Sequence, residues 1–229
     1  KYPVKFVKFF MPPLPLQILN PSSSKVAKIL NKNPGLFQGY GEARFDFTLG
    51  TNANPDDEYF REIYRLADEN NLIVQIHPDK GQLEALKRIL EKYPNVKFLA
   101  HVMPDVKKEV GELMAAHSNL YYSLDAEIHY IFGYQTIQNN KGPTKEEYLK
   151  FIRENFDSLL KEALGNWKEI IEARPDQFTW GTDRWYTWHF DPEVGGLVTE
   201  FGRTFIGHLN PAVQEKFAYK NAERLLRDH

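Results

Sequence analysis

Residues 72–101 read LIVQIHPDKGQLEALKRILEKYPNVKFLAH, a strand, a loop, a helix and a second strand in one stretch. LIVQIH is short, apolar and β-branched, and Pro78-Asp79-Lys80-Gly81 after it marks a loop. Leu83, Leu86, Ile89 and Leu90 then fall on one face of a helix, which Tyr93-Pro94-Asn95 ends. VKFLAH repeats the first strand in type. A helix between two such strands is the crossover that parallel pairing requires. Each strand closes on an imidazole, His77 and His101. Parallel strands present their C-terminal ends at one face, so both rings are expected at a shared opening.

The same alternation extends in both directions. Upstream, Val4–Phe10 is strand-like and is broken by MPPLP; Ser24–Asn31 suits a short helix stopped by Asn33-Pro34-Gly35. Phe37–Phe47 contains GYGEARFDF, a second strand candidate, and Asn54-Pro55-Asp56 opens a helix with Phe60, Ile63, Leu66 and Ala67 at helical spacing. Downstream, a helix from about Asp105 to His117 precedes LYYSLD, and the run FTW precedes Gly181-Thr182-Asp183. His77, His101 and Asp125 lie 24 residues apart, the length of one strand, loop and helix. Asp183 comes 58 residues after Asp125, so 127–175 is expected to be an insertion over the mouth, with an aromatic loop and one or two long helices. The loop RWYTWHFDPEVGG follows Asp183, then two C-terminal helices, the second opened by Asn210-Pro211.

Six strands are therefore expected, ending near Phe10, Phe47, His77, His101, Asp125 and Asp183. The implied fold class is α/β, of the (β/α)8 TIM-barrel type, in a single domain over 1–229 with sites at the C-terminal face. About two strands of the eight are not visible. An open doubly wound sheet is the alternative.

Composition narrows the partners. A net charge of −2 without a dense Lys/Arg block argues against nucleic acid, and no apolar run approaches the roughly 18 residues of a membrane span. Absence of cysteine excludes disulfides and thiolate metal sites but does not indicate a compartment. A small-molecule substrate is the expectation, with the aromatics of 128–134 as a candidate homodimer contact.

The series GYGEARFDF, LIVQIHPD, VKFLAHVMPD, FTWGTDRW and YKNAERLL resembles the amidohydrolase superfamily, in its amidohydrolase-2 branch of metal-dependent barrel enzymes, from about Gly35 to Leu226. The resemblance implies that His77 and Asp183 bind or serve a divalent metal, zinc first and manganese or iron as alternatives. It makes His101 a further ligand or a catalytic imidazole, and Glu42 a metal-bridging or substrate-contacting group. One feature departs from the family. Its first strand carries a His-x-His pair, and here no His precedes His77. The strand count and the initial Lys favour a chain lacking its N-terminal βα units; a metal-poor relative is the other explanation.

The implied activity is hydrolysis of an amide, ester or lactone by a metal-activated water, with Asp183 as proton acceptor and donor and His101 polarising the substrate. Non-oxidative decarboxylation of an aromatic or unsaturated acid is the closest rival, which would make the enzyme a lyase. A metal-free lactonase or a non-catalytic binding protein are the others. By strand alternation Glu42, Arg44 and Asp46 share a side, so Glu42 and Arg44 either pair together or face substrate. Arg184, Trp185 and Trp188 suit either an anionic or aromatic substrate or the packing of a long loop, and His189 belongs with them. Asp125 is read as a substrate contact or a turn cap, and His117 as a helix-end charge.

Overall fold

A computed structural model describes residues 7–10, 22–45, 53–78, 80–101, 107–124, 143–184 and 186–227. Asp46, Asp125, Trp185 and the aromatic loop at 128–134 lie outside these residues. Six parallel strands alternate with helices and follow one another in sequence order, as the α/β pattern requires. They are β1 Phe9–Phe10, β2 Gly39–Arg44, β3 Ile73–His77, β4 Phe98–His101, β5 Leu120–Leu124 and β6 Phe178–Trp180. The helices are α1 Ser23–Lys32, α2 Glu58–Glu69, α3 Leu83–Lys92, α4 Lys107–Ala116, α5 Lys145–Ala173, α6 Pro192–Gly207, α7 Pro211–Glu215 and α8 Asn221–Arg227.

The chain forms two compact units, Lys1–Tyr122 with Glu223–His229, and Ser123–Ala222. In the first, β2, β3 and β4 pair in parallel with Val74 opposite both Tyr40 and Phe98. Ile73, Val74, Ile76, Phe98 and Ala100 are fully buried, as expected of strands covered on both faces. Each large apolar side chain so enclosed contributes roughly 1.5–3 kcal/mol. The α2 helix lays Phe60, Ile63, Tyr64 and Ala67 on the sheet, and Tyr64 meets Phe98 edge to face at 5.3 Å. Asn119, just before β5, donates from one amide nitrogen to the carbonyls of Leu90, Tyr93 and Val96 at 3.1–3.2 Å, fixing the turn that enters β4.

In the second unit, α5 is a single helix of 29 residues, started by a capping box in which Thr144 and Glu147 satisfy each other's backbone N–H groups. Leu159, Ala163, Trp167 and Ile171 are buried at four-residue spacing. The C-terminal segment runs from α7 through a π-helical turn at Lys216–Lys220 into α8. Asn221 at its centre donates to the carbonyls of Pro175 and Phe178, at 2.7 and 2.8 Å, anchoring the helix to the start of β6. Among the described residues no helix is long and apolar enough to cross a membrane.

Candidate active site

The position of Glu42 depends on a glycine. Between Tyr40 and Ala43 the pairing of β2 with β3 slips: three steps along β2 match two along β3, from Val74 to Ile76. Gly41 occupies the slip at φ +133°, and a β-carbon there would stand 2.5 Å from the Gln75 carbonyl oxygen. Only glycine satisfies both constraints. The slip reverses which way the rest of the strand faces. Tyr40 reaches α2, its hydroxyl 3.0 Å from that of Tyr59, and Phe45 reaches the same helix, its ring 4.7 Å from Phe60. In a regular strand residues 40 and 45 would point to opposite faces. Because of the extra residue they share one, and Glu42 leaves the face of Tyr40 for the opposite one.

On that opposite face lie the two imidazoles. His77 and His101 close β3 and β4, as the sequence pattern indicated, and are 8% and 2% exposed. Their rings meet nearly perpendicular, with centroids 5.1 Å apart. Glu42 Oε1 lies 3.2 Å from His101 Nε2, within ion-pair range when the ring is protonated. Three side chains from three successive strands are thus gathered in one largely buried polar centre. Arg44 is opposite His77 in backbone register; its side chain is not among those described.

Asp183 lies in the second unit, three residues beyond β6, where Gly181 N–H donates to Leu124 O at 3.2 Å. Its backbone sits at φ +36°, in the left-handed region where an L-residue other than Asn, Asp or Gly is rare. Such strain persists where surrounding structure enforces it, often at functional sites. Arg184 is exposed, with its guanidinium carbon 5.9 Å over the Phe190 ring. Trp188 is enclosed by rings, stacked on Tyr186 at 5.1 Å and touching Tyr148 at 4.9 Å and His189 at 4.3 Å. Burial pushes the Tyr148 phenol well above its ordinary value, against the lowering effect of the Arg184 cation. His189 is buried, and its Nδ1 accepts the Tyr186 backbone N–H at 3.4 Å, which clasps the loop. His117 follows the end of α4, its N–H bonded to Leu113 O at 2.9 Å.

The donor chemistry of His77, His101 and the nearby carboxylate is of the kind that zinc, manganese or iron accepts. Among the described residues, however, no group of three or more His, Asp or Glu side chains could hold a metal ion. The described cluster supplies two imidazoles, with a carboxylate placed against one of them.

The pattern of the amidohydrolase family matches residues 35–227, and the chain belongs to this family, in its amidohydrolase-2 branch. It is therefore an enzyme of the amidohydrolase type, a hydrolase. Among solved structures it is similar to an uncharacterised TIM-barrel protein from Bordetella bronchiseptica, at 18% identity and a TM-score of 0.59, covering 99% of this chain and 68% of that one. A probable 2-pyrone-4,6-dicarboxylic acid hydrolase from Acinetobacter baumannii, with citric acid bound, matches at 13% identity and a TM-score of 0.55, over 90% and 69% of the two chains. An amidohydrolase from Burkholderia multivorans with bound zinc matches at 14% identity and a TM-score of 0.51, over 89% and 69%. No curated protein matches the sequence. These likenesses identify the fold as that of the TIM barrels.

Sequence pattern located both imidazoles and the strand that carries the carboxylate. It missed Gly41, which aims that carboxylate; the local signal was the GYG triplet within an otherwise regular strand.

Proposed function

We propose that this enzyme hydrolyses a small molecule at an amide, ester or lactone bond, with His77 and His101 serving a divalent ion, zinc before manganese or iron. The reading rests on two buried imidazoles at adjacent strand ends, ring centroids 5.1 Å apart, with the Glu42 carboxylate 3.2 Å from one of them. Membership of a hydrolytic family supports it. When bound, such an ion supplies a water acidified to a pKa of about 7. The residues of the chain do the rest. The Asp183 carboxylate takes the proton of the attacking water and returns it to the leaving atom. His101 polarises the substrate's carbonyl oxygen, and Glu42, against its Nε2, holds the ring at the required rotation. Arg44 is the proposed substrate contact.

Two measurements test this together. Elemental analysis of protein purified without chelator is expected to give about one equivalent of metal, and His77→Ala to lose it. Less than a tenth of an equivalent in the parent would remove the metal from the mechanism. Proton release from a panel of lactones and esters reports turnover, and Asp183→Asn is expected to slow it about a thousandfold, within the span of general acid–base catalysis. Asparagine tolerates the left-handed backbone of residue 183, so the loss reports the carboxylate itself. Carbon dioxide released from aromatic acids, with no hydrolysis of the panel, would assign decarboxylation instead.

A further inference from the structure

The second unit carries a groove whose side chains the hydrolytic reading does not use. It is open, about 600 Å3 in volume, and follows the face of α6 opposite the buried Val194, Val198, Phe201 and Phe205. Arg184 and Phe190 form its other wall. The Arg184 guanidinium lies across the Phe190 ring, and a β-carbon on Gly195 would be 3.5 Å from one of its terminal nitrogens. It is thus held between an aromatic face and helix backbone. Arg203 projects into the same groove two turns along from Gly196. Among the described residues neither arginine makes an ion pair, and neither does Glu200 on the groove floor. The remaining acid there, Asp191, is held by Lys145 at 2.8 Å and caps α6.

The hydroxyls are also oriented. Thr199 donates to Gly195 O at 2.7 Å and Thr204 to Glu200 O at 2.8 Å. Their protons point into the helix, so each offers only lone pairs to a ligand. The groove therefore presents two uncommitted guanidinium groups as donors, a carboxylate and two hydroxyl oxygens as acceptors, and one exposed ring, Phe190, at 65% exposure. We propose that it is a binding site for a small hydroxy-carboxylate with a flat apolar body. The carboxylate bridges Arg184 and Arg203, the hydroxyl donates to Glu200, and the body lies on Phe190. Guanidinium–carboxylate contacts are charge-assisted and geometrically selective.

The probe is 4-hydroxybenzoate, titrated into the full chain and followed by backbone amide shifts and calorimetry. Saturable binding centred on residues 184, 195, 199 and 203 is expected. Benzoate, which lacks the donor for Glu200, binds more weakly, and 4-hydroxybenzyl alcohol, which lacks the carboxylate, does not saturate. Arg203→Gln is expected to weaken 4-hydroxybenzoate about tenfold, the size of one lost hydrogen bond to a charged group. Arg203 is exposed on a helix, so the variant folds, which circular dichroism checks. Metal content and hydrolysis by Arg203→Gln should equal those of the parent, so failure of this site and failure of the hydrolytic reading are separable. The proposal is overturned if the alcohol binds as well as the acid, if Arg203→Gln binds like the parent, or if shifts appear only around His77 and His101.

Discussion

Two polar regions of this chain are built in opposite ways. In the first unit Glu42, His77 and His101 are between 2% and 15% exposed, and the strand backbone dictates where each points. In the second unit Arg184, Glu200 and Arg203 stand in water on a loop and the outer face of a helix. Buried polar groups need partners and defined geometry, because each unmet hydrogen bond costs about 1–3 kcal/mol. In the first region a register slip and a glycine with no substitute fix that geometry. The second carries no such demand, because water satisfies its exposed groups. The buried region suits bond-breaking chemistry, and the open one suits recognition.

The sharpest way to break this contrast is Gly41→Ala. It sets a β-carbon against the Gln75 carbonyl at a backbone angle that alanine avoids, and should cost about 3 kcal/mol or more in urea unfolding. A cost below about 1 kcal/mol would mean that the slip adapts freely and does not dictate where Glu42 points. Asp56 tests what exposed charge contributes in the same unit. Arg61 at 2.8 Å, first, and Arg88 at 3.1 Å hold its carboxyl down at about 2, against an ordinary 3.8. The folded value is lowered, so this stabilisation is complete above the unfolded value near 4 and is lost as pH falls toward 2. Both arginines are about half exposed, so water screens the pairs. Asp56→Asn should therefore lose about 1 kcal/mol at neutral pH, with the gap to the parent closing between pH 4 and 2. Equal stability loss at pH 2 and 7 would place the effect in packing. The smallest change expected is in the second unit. Thr144→Ala removes the capping box of α5 and should cost somewhat less than about 1 kcal/mol by thermal melting. It should also raise the Glu147 carboxyl only part of the way to its usual range, because the backbone N–H of residue 144, the larger cause of the lowering, remains when the hydroxyl is lost.

The barrel-type alternation and both histidine positions were legible because each depends on local rules. A short β-branched run stopped by Pro78 ends where the proline says it must, and the 24-residue period carries the pattern onward. What sequence missed depended on neighbours in space. Strand two was expected to reach Phe47; the described strand runs Gly39–Arg44, Phe45 N–H still donates to His77 O at 3.2 Å, and residues 46 and 47 lie outside the described residues. Within 127–175 the sequence implies one or two long helices; the buried series Ala163, Trp167 and Ile171 carries one helix through Lys145–Ala173. Alternation put Glu42 on a common side with residues 44 and 46, and did not show that Tyr40 lies on the other. The cause is a carbonyl on the adjacent strand, Gln75, which no local pattern encodes. FTWGTD placed Asp183 just after a strand, but its left-handed backbone left no trace in residue type beyond the choice of aspartate.

The inserted residue in β2 also bears on how this strand can be compared or redesigned. It behaves as two half-strands with inverted inside-out parity, joined at a hinge that tolerates one amino acid. Alternation counted from Tyr40 assigns the carboxylate to the helical layer, and a library built on that count would randomise the wrong positions. Removing Gly41 should leave Glu42 on the imidazole face, because the remaining residues then alternate regularly from Tyr40 to Phe45.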